Sequence, residues 1–171
     1  MKHTIVKKAV RKRDGVLVPV QALSIAEESA KYGTTTPFVN KVVSIITDIE
    51  RFLADVDSLK IISLHDLDSK KNFYASSMLL FAIANRTIDL GEQILSVKKL
   101  GFPGVYKDIF DMLFRAQLIY SSLHADLLSL VRFRNLAPHE YQSFTPTDVH
   151  NAIKVVSCVP KFIAIVKKSL K

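Results

Sequence analysis

The sequence predicts an all-α protein, an antiparallel bundle of four to five helices with a short β-hairpin or arm at its N-terminus. Apolar residues recur at helical spacing through most of the chain after residue 36. Breakers are scarce, with five Gly and six Pro in 171 residues, and several fall between the periodic runs. The apolar fraction is 49%, enough to fill one core, and this length suits one domain that buries about 70% of its unfolded surface. No period of 20–50 residues repeats and no segment is low in complexity.

Residues 1–36 read as a basic arm. Thr4-Ile5-Val6 and Val16-Leu17-Val18-Pro19-Val20 are β-rich runs on either side of Asp14-Gly15, a strong turn pair. Pro19 confines the second run to an edge. Ser24-Ile25-Ala26-Glu27 has capping-box form and Gly33 can end the short helix it starts. Glu27-Glu28 fit a solvated helix start.

The helical body spans residues 37–171. Thr36 is a good N-cap and Pro37 suits the first helical position. Phe38, Val42, Ile45, Ile49, Phe52, Leu53 and Val56 then recur at helical spacing. A second helix opens near Asp66 or Asp68 and runs to about Val97. Phe73, Ser77, Leu80, Phe81, Ala84 and Ile88 form one stripe on it, and Leu79, Ile83, Leu90 and Ile94 another. Only the strip through Asn85, Asp89, Glu92 and Gln93 is strongly polar, so this helix is central. Gly101, Pro103 and Gly104 break the chain. Tyr106, Ile109, Phe110 and Leu113 begin a third helix. A fourth covers about Ser121 to Ala137, with Leu123, Leu127, Leu130 and Val131 inward. Thr145 caps the last helix with Pro146 in its first turn, and Pro160 must kink or divide it.

The net charge is +8, of which Lys2, Lys7, Lys8, Arg11, Lys12 and Arg13 supply six. The body is therefore near neutral, and a field broad enough to capture RNA falls on the arm. Lys7, Lys8, Arg11, Lys12 and Arg13 are the nucleic-acid contact candidates. The single Cys158 sits in an apolar run and reads as a buried structural thiol in a reducing compartment. No apolar stretch reaches the roughly 18–20 residues of a membrane span, and the N-terminus lacks a signal-peptide pattern. The expectation is a cytoplasmic protein with no membrane contact. His65, His124 and His150 are scattered without ligand spacing and read as surface or cap histidines. Asp108 and Asp111 are a conceivable but unsupported metal pair. Neither a metal nor a cofactor is expected.

The chemistry concentrates in Arg134-Asn135-Leu136-Ala137-Pro138-His139-Glu140-Tyr141. A guanidinium offers a fork of donors to a phosphate. An imidazole moves a proton near neutral pH. Together they are the minimum for cutting RNA without a metal. Five residues on an ideal helix turn about 140° and rise about 7.5 Å, so Arg134 and His139 would not share a face. Either the chain bends or the pair meets across a dimer. Pro138 cannot donate to the Arg134 carbonyl and disfavours helical angles at Ala137. The helix is therefore expected to stop or kink at Leu136–Ala137. An extended chain beyond would project His139 and Tyr141 to one side.

The order Arg-Asn-x3-His-Glu-Tyr at the end of an apolar helix resembles the signature of the HEPN superfamily, and within it the HepT branch, the toxin of MntA–HepT toxin–antitoxin pairs. Leu79-Leu80-Phe81-Ala82-Ile83-Ala84-Asn85-Arg86 with Ile88-Asp89-Leu90 is similar to that family's central helix. Leu100-Gly101-Phe102-Pro103 and Tyr106-Lys107-Asp108-Ile109-Phe110 resemble the loop and helix that follow. The resemblance covers roughly residues 37–171. It implies a metal-independent endoribonuclease that acts as a homodimer, with Arg134, His139 and Asn135 as catalytic residues. It also implies an MntA-like nucleotidyltransferase antitoxin that AMPylates Tyr141, carrying bulk and negative charge into a phosphate site. Pro138 departs from the family pattern, where an aliphatic residue is usual before the His.

Two further readings stand beside this one. The departure at Pro138 and the extra arm fit a catalytically silent HEPN-type module that binds RNA, nucleotide or a partner protein. Arg11-Lys12-Arg13-Asp14-Gly15 followed by Val16-Leu17-Val18-Pro19-Val20 is also similar, over a short span, to the start of AbrB-type DNA-binding arms. That would make the chain a dimeric DNA-binding regulator. An Arg and a His at a helix end can also serve structure alone, through the last carbonyls and the helix dipole.

Overall fold

Six α-helices make up the body in the computed structural model, which describes residues 10–13, 16–19, 36–139 and 144–169. The helices are α1 (Thr36–Ser58), α2 (Lys70–Val97), α3 (Tyr106–Arg115), α4 (Ser121–His139), α5 (Pro146–Val155) and α6 (Val159–Ser169). Short 3-10 turns at Leu64–Leu67 and Val156–Cys158 precede α2 and join α5 to α6. The opening expected near Asp66 or Asp68 is thus that first turn, with α2 beginning two residues after Asp68.

The arm contains a two-stranded antiparallel sheet, β1 (Val10–Arg13) paired with β2 (Val16–Pro19). Arg13 lies opposite Val16 and Val10 opposite Pro19. The segment paired with β2 is Val10–Arg13, and the expected run Thr4–Val6 lies outside the described residues. A two-residue connection pairs the residues that flank it immediately, and those are the basic ones. The short helix expected after Ser24 also lies outside the described residues.

Packing follows the apolar stripes. α2 touches each of the other five helices and is the centre of the bundle. Leu80, Ile83, Ala84, Ile88, Leu90, Ile94 and Leu95 are buried along it, while Tyr74 and Met78 near its start are exposed. On α1 the buried residues are Val39, Val42, Ile45, Ile46, Ile49 and Val56. Gly91 lets α3 approach α2, since a Cβ there would lie 2.6 Å from Cγ2 of Ile109. The expected cap of α5 forms, with Thr145 N donating to Asp148 Oδ2 at 2.9 Å and Asp148 N donating to Thr145 Oγ1 at 3.4 Å. The last helical segment is divided as expected, and the 3-10 turn ends two residues before Pro160.

Two expectations need correction. The segment Pro146–Ser169 is long and apolar enough to cross a membrane by length and composition. Its residues Val149, Val156, Val159, Phe162, Ile163 and Val166 are buried in this bundle, as a core helix requires. The second correction concerns Pro138, because α4 runs unbroken through it to His139. Proline's fixed φ near −65° is itself helical, and one lost hydrogen bond in a final turn is a small cost.

Candidate functional site

Three helices converge on Arg134. Its Nε donates to Oδ1 of Asn85 on α2 at 3.0 Å. One terminal amine donates to the Tyr106 hydroxyl, at the first position of α3, at 3.3 Å. The other donates to Oδ1 of Asn135 at 3.4 Å. The guanidinium carbon lies 4.5 Å from the centre of the Tyr106 ring and 5.7 Å from that of Phe81, one turn before Asn85. Both distances are within cation–π range. Arg134 is half-buried, while Asn135 is exposed.

The partners of the two terminal amines border open space. Tyr106 and Asn135 line a groove of 460 Å³ with Glu92, Pro103, Lys107 and Ile109. Asn135 also lines a neighbouring hollow of 310 Å³ with Lys107, Leu128, Val131, Arg132 and Leu136. Lys107 lines both hollows, Arg132 the smaller and Glu92 the larger, and a guanidinium whose partners border such a groove can bind an anion.

The other motif residues are only partly placed. The backbone of His139 is the last turn of α4, its side chain lies outside the described residues, and Tyr141 does too. On an unbroken helix, positions 134 and 139 stand about 140° apart and about 7.5 Å along the axis. The expected bend that would bring them to one face is absent. Past the motif the chain is anchored at Phe144, whose ring lies 5.5 Å from Phe133 and 5.6 Å from Phe73. Phe133 is thereby core. Arg11, Lys12 and Arg13 are in β1, and Lys7 and Lys8 lie outside the described residues.

One side chain behaves differently from its sequence reading. His124 is neither a surface nor a cap residue: Nε2 lies 2.6 Å from Asp111 Oδ1, and its ring stacks on Phe114 at 4.7 Å. Lys107 Nζ approaches the same Asp111 at 3.5 Å. Burial raises the Asp111 pKa, and the His124 hydrogen bond and the Lys107 charge outweigh it, leaving the carboxyl below its ordinary range. Asp108 instead accepts from Gly104 N at 3.0 Å and Val105 N at 3.1 Å, closing the start of α3. The two carboxylates thus have separate structural tasks. His65 Nδ1 pairs with Asp68 at the surface, 2.5 Å away. Cys158 is buried as expected, and desolvation, with Asp126 adding to it, pushes its thiol up to about 12.

Asn85 and Tyr106 were legible only as helix residues. They stand 49 and 28 positions from Arg134, so no local spacing connects them to it. The polar strip on α2 was the available signal, because a polar row on a central helix needs partners.

The profile of the ribonuclease HepT-like family matches residues 44–169. The chain belongs to the HepT-like ribonuclease family. This HepT-like chain has no match among curated proteins. Among solved structures it is similar to a toxin–antitoxin complex with AMP-PNP, at 22% identity and a TM-score of 0.68, covering 74% of this chain and 97% of that one. The tri-AMPylated Shewanella oneidensis HEPN toxin in complex with MNT antitoxin matches at 22% identity, a TM-score of 0.68 and coverage of 74% and 96%. YutE of Bacillus subtilis, a cytosolic protein of unknown function, matches at 18% identity, a TM-score of 0.66 and coverage of 75% and 87%. These likenesses concern the fold, the HEPN-like helical bundle.

Proposed function

We propose that this chain is a metal-independent endoribonuclease toxin that cleaves RNA through its own 2′-OH. The observation that carries the reading is the Arg134 guanidinium, held by three neutral partners of which Tyr106 and Asn135 line a groove, in a chain of the HepT-like ribonuclease family. His139 takes the proton from a ribose 2′-OH, or returns one to the leaving oxygen. The 2′-oxygen attacks the adjacent phosphorus, the bond from phosphorus to the 5′-oxygen breaks, and that oxygen gains a proton. The products are a 2′,3′-cyclic phosphate and a 5′-OH. Arg134 binds the phosphate and stabilises the charge that grows on its oxygens. Asn135 orients His139 or contacts RNA.

The active unit is a homodimer. Of the two ways to bring Arg134 and His139 together, the straight α4 favours the one in which residues of two copies face one cleft. Two copies also supply two imidazoles, one for each proton transfer. By analogy with the HEPN toxins solved with their antitoxins, the partner is an MntA-like nucleotidyltransferase, and Tyr141 is the residue it AMPylates. The protein acts in the cytoplasm, where its RNA substrates are.

The test is incubation of purified protein with labelled total RNA and tRNA in EDTA, beside Arg134→Ala and His139→Ala. Cleavage by the wild type that both variants lose supports the reading. No cleavage by a folded dimer whose Tyr141 is free of AMP by mass spectrometry would overturn it in favour of the silent binding module.

A further inference from the structure

We propose that Asn85 is a positioning residue for Arg134, holding Nε so that both terminal amines are presented together to one phosphate. The inference rests on the ribonuclease reading above and adds a residue from another helix to it. The three hydrogen bonds of the guanidinium are unequal. The bond to Asn85 is 3.0 Å, an ordinary N–H···O distance, and it comes from the half-buried central helix. The bonds to Tyr106 and Asn135, at 3.3 and 3.4 Å, are long. Both of those partners line the groove. Phosphate oxygens make stronger charge-assisted bonds with the same two amines and replace the long ones, while the Asn85 bond stays. The rings of Tyr106 and Phe81, at 4.5 and 5.7 Å, restrain the guanidinium plane.

The residue type suits the task. Arginine can only donate, so the Asn85 oxygen must face Nε. An amide oxygen fixes the guanidinium without cancelling its charge, and the full cation remains for the phosphate. Arg86, the next residue on α2, shows the contrast. It bridges Asp48 at 3.0 Å and Asp89 at 3.1 Å, an arrangement that ties α1 to α2 through opposite charges.

Two measurements separate this role from a merely structural one. In steady-state cleavage, Asn85→Ala lowers kcat by about 10- to 100-fold with KM little changed, the usual result of losing a supporting contact. Asn85→Asp restores the acceptor but cancels part of the guanidinium's charge, so kcat recovers only in part and KM rises. Asn85→Leu, which keeps the branched shape at a larger volume and removes the acceptor, carries the same test should the alanine variant fail to fold. The second measurement is the 15Nε–H resonance of Arg134 in arginine-labelled protein. It is expected to be sharp and slow to exchange in wild type and Asn85→Asp, and exchange-broadened in Asn85→Ala. Wild-type kcat in Asn85→Ala, or equal loss in the Ala and Asp variants, would overturn the proposal. A wild-type protein that cuts no RNA defeats the ribonuclease reading, and the resonance still decides whether Asn85 fixes Arg134. An unchanged resonance in Asn85→Ala overturns that claim by itself.

Discussion

Substituting Gly91 by alanine tests how closely α3 must sit on α2. The added Cβ would meet Cγ2 of Ile109 at 2.6 Å and the Phe110 ring at 3.4 Å. Neither neighbour can swing into solvent, since Ile109 is 0% and Phe110 1% exposed. Alanine gains about 1 kcal/mol over glycine in a helix interior. Overpacking a filled core costs about 1–3 kcal/mol, and a contact this short belongs in the upper part of that range. The net is a loss of about 1–2 kcal/mol, or a fall in Tm of about 2–8 °C for a domain of this size. Urea denaturation and scanning calorimetry both read it. Ile109→Leu removes the Cγ2 branch, so the double variant is expected to recover part of the loss, with a coupling term of about 0.5 kcal/mol or more. The methyl also displaces α3, which carries Tyr106, so cleavage activity falls with stability. A Gly91→Ala protein more stable than wild type, or strict additivity in the double variant, would refute this account of the α2–α3 contact.

The remaining predictions concern titration and reactivity. The folded pKa of Asp111 lies below its ordinary value, so its contribution to stability is present above the unfolded value near 4 and is lost as pH falls through the folded value. Asp111→Asn is therefore less stable than wild type at pH 7, and the gap closes on acidification in a pH series of urea midpoints; a gap independent of pH would contradict the hydrogen bond with His124 and the ion pair with Lys107. The Cys158 thiol, at about 12, is protonated at pH 8, so iodoacetamide labels it only after denaturation. Labelling of native protein at the rate of a free cysteine would show that the site opens.

Much of the helical body was legible because its signals are local. Thr145-Pro146 with Asp148 three residues on specifies a helix start by side chains that meet their own backbone, and the structure forms that start. The crowded stripes of α2 required a central position, which it has. Where a local rule met a competing local preference, the sequence reading failed. Pro138 removes one hydrogen bond, yet its own φ is helical, and α4 continues to His139. The hairpin was placed around the right turn pair, but its adjoining strand Val10–Arg13 was not read as one, because β propensity favoured Thr4–Val6 over the basic residues beside the turn. Which residues pair over long range was not legible. His124 and Asp111 are 13 residues apart, on two helices, and nothing in either segment names the other. The same holds for Arg134, whose motif was plain in the sequence, while Asn85 and Tyr106 came from two other helices.

The most direct test of the central claim uses the substrate's own nucleophile. An RNA cut by the wild-type protein in EDTA is mapped, then resynthesised with a single 2′-deoxyribose on the 5′ side of the cleaved bond. The account predicts that this one substitution abolishes cleavage there, and that the unmodified RNA leaves a 2′,3′-cyclic phosphate and a 5′-OH. Cleavage of the deoxy-substituted bond, or a 5′-phosphate on the product, would show that water rather than the 2′-oxygen attacks and would contradict the roles given to Arg134 and His139.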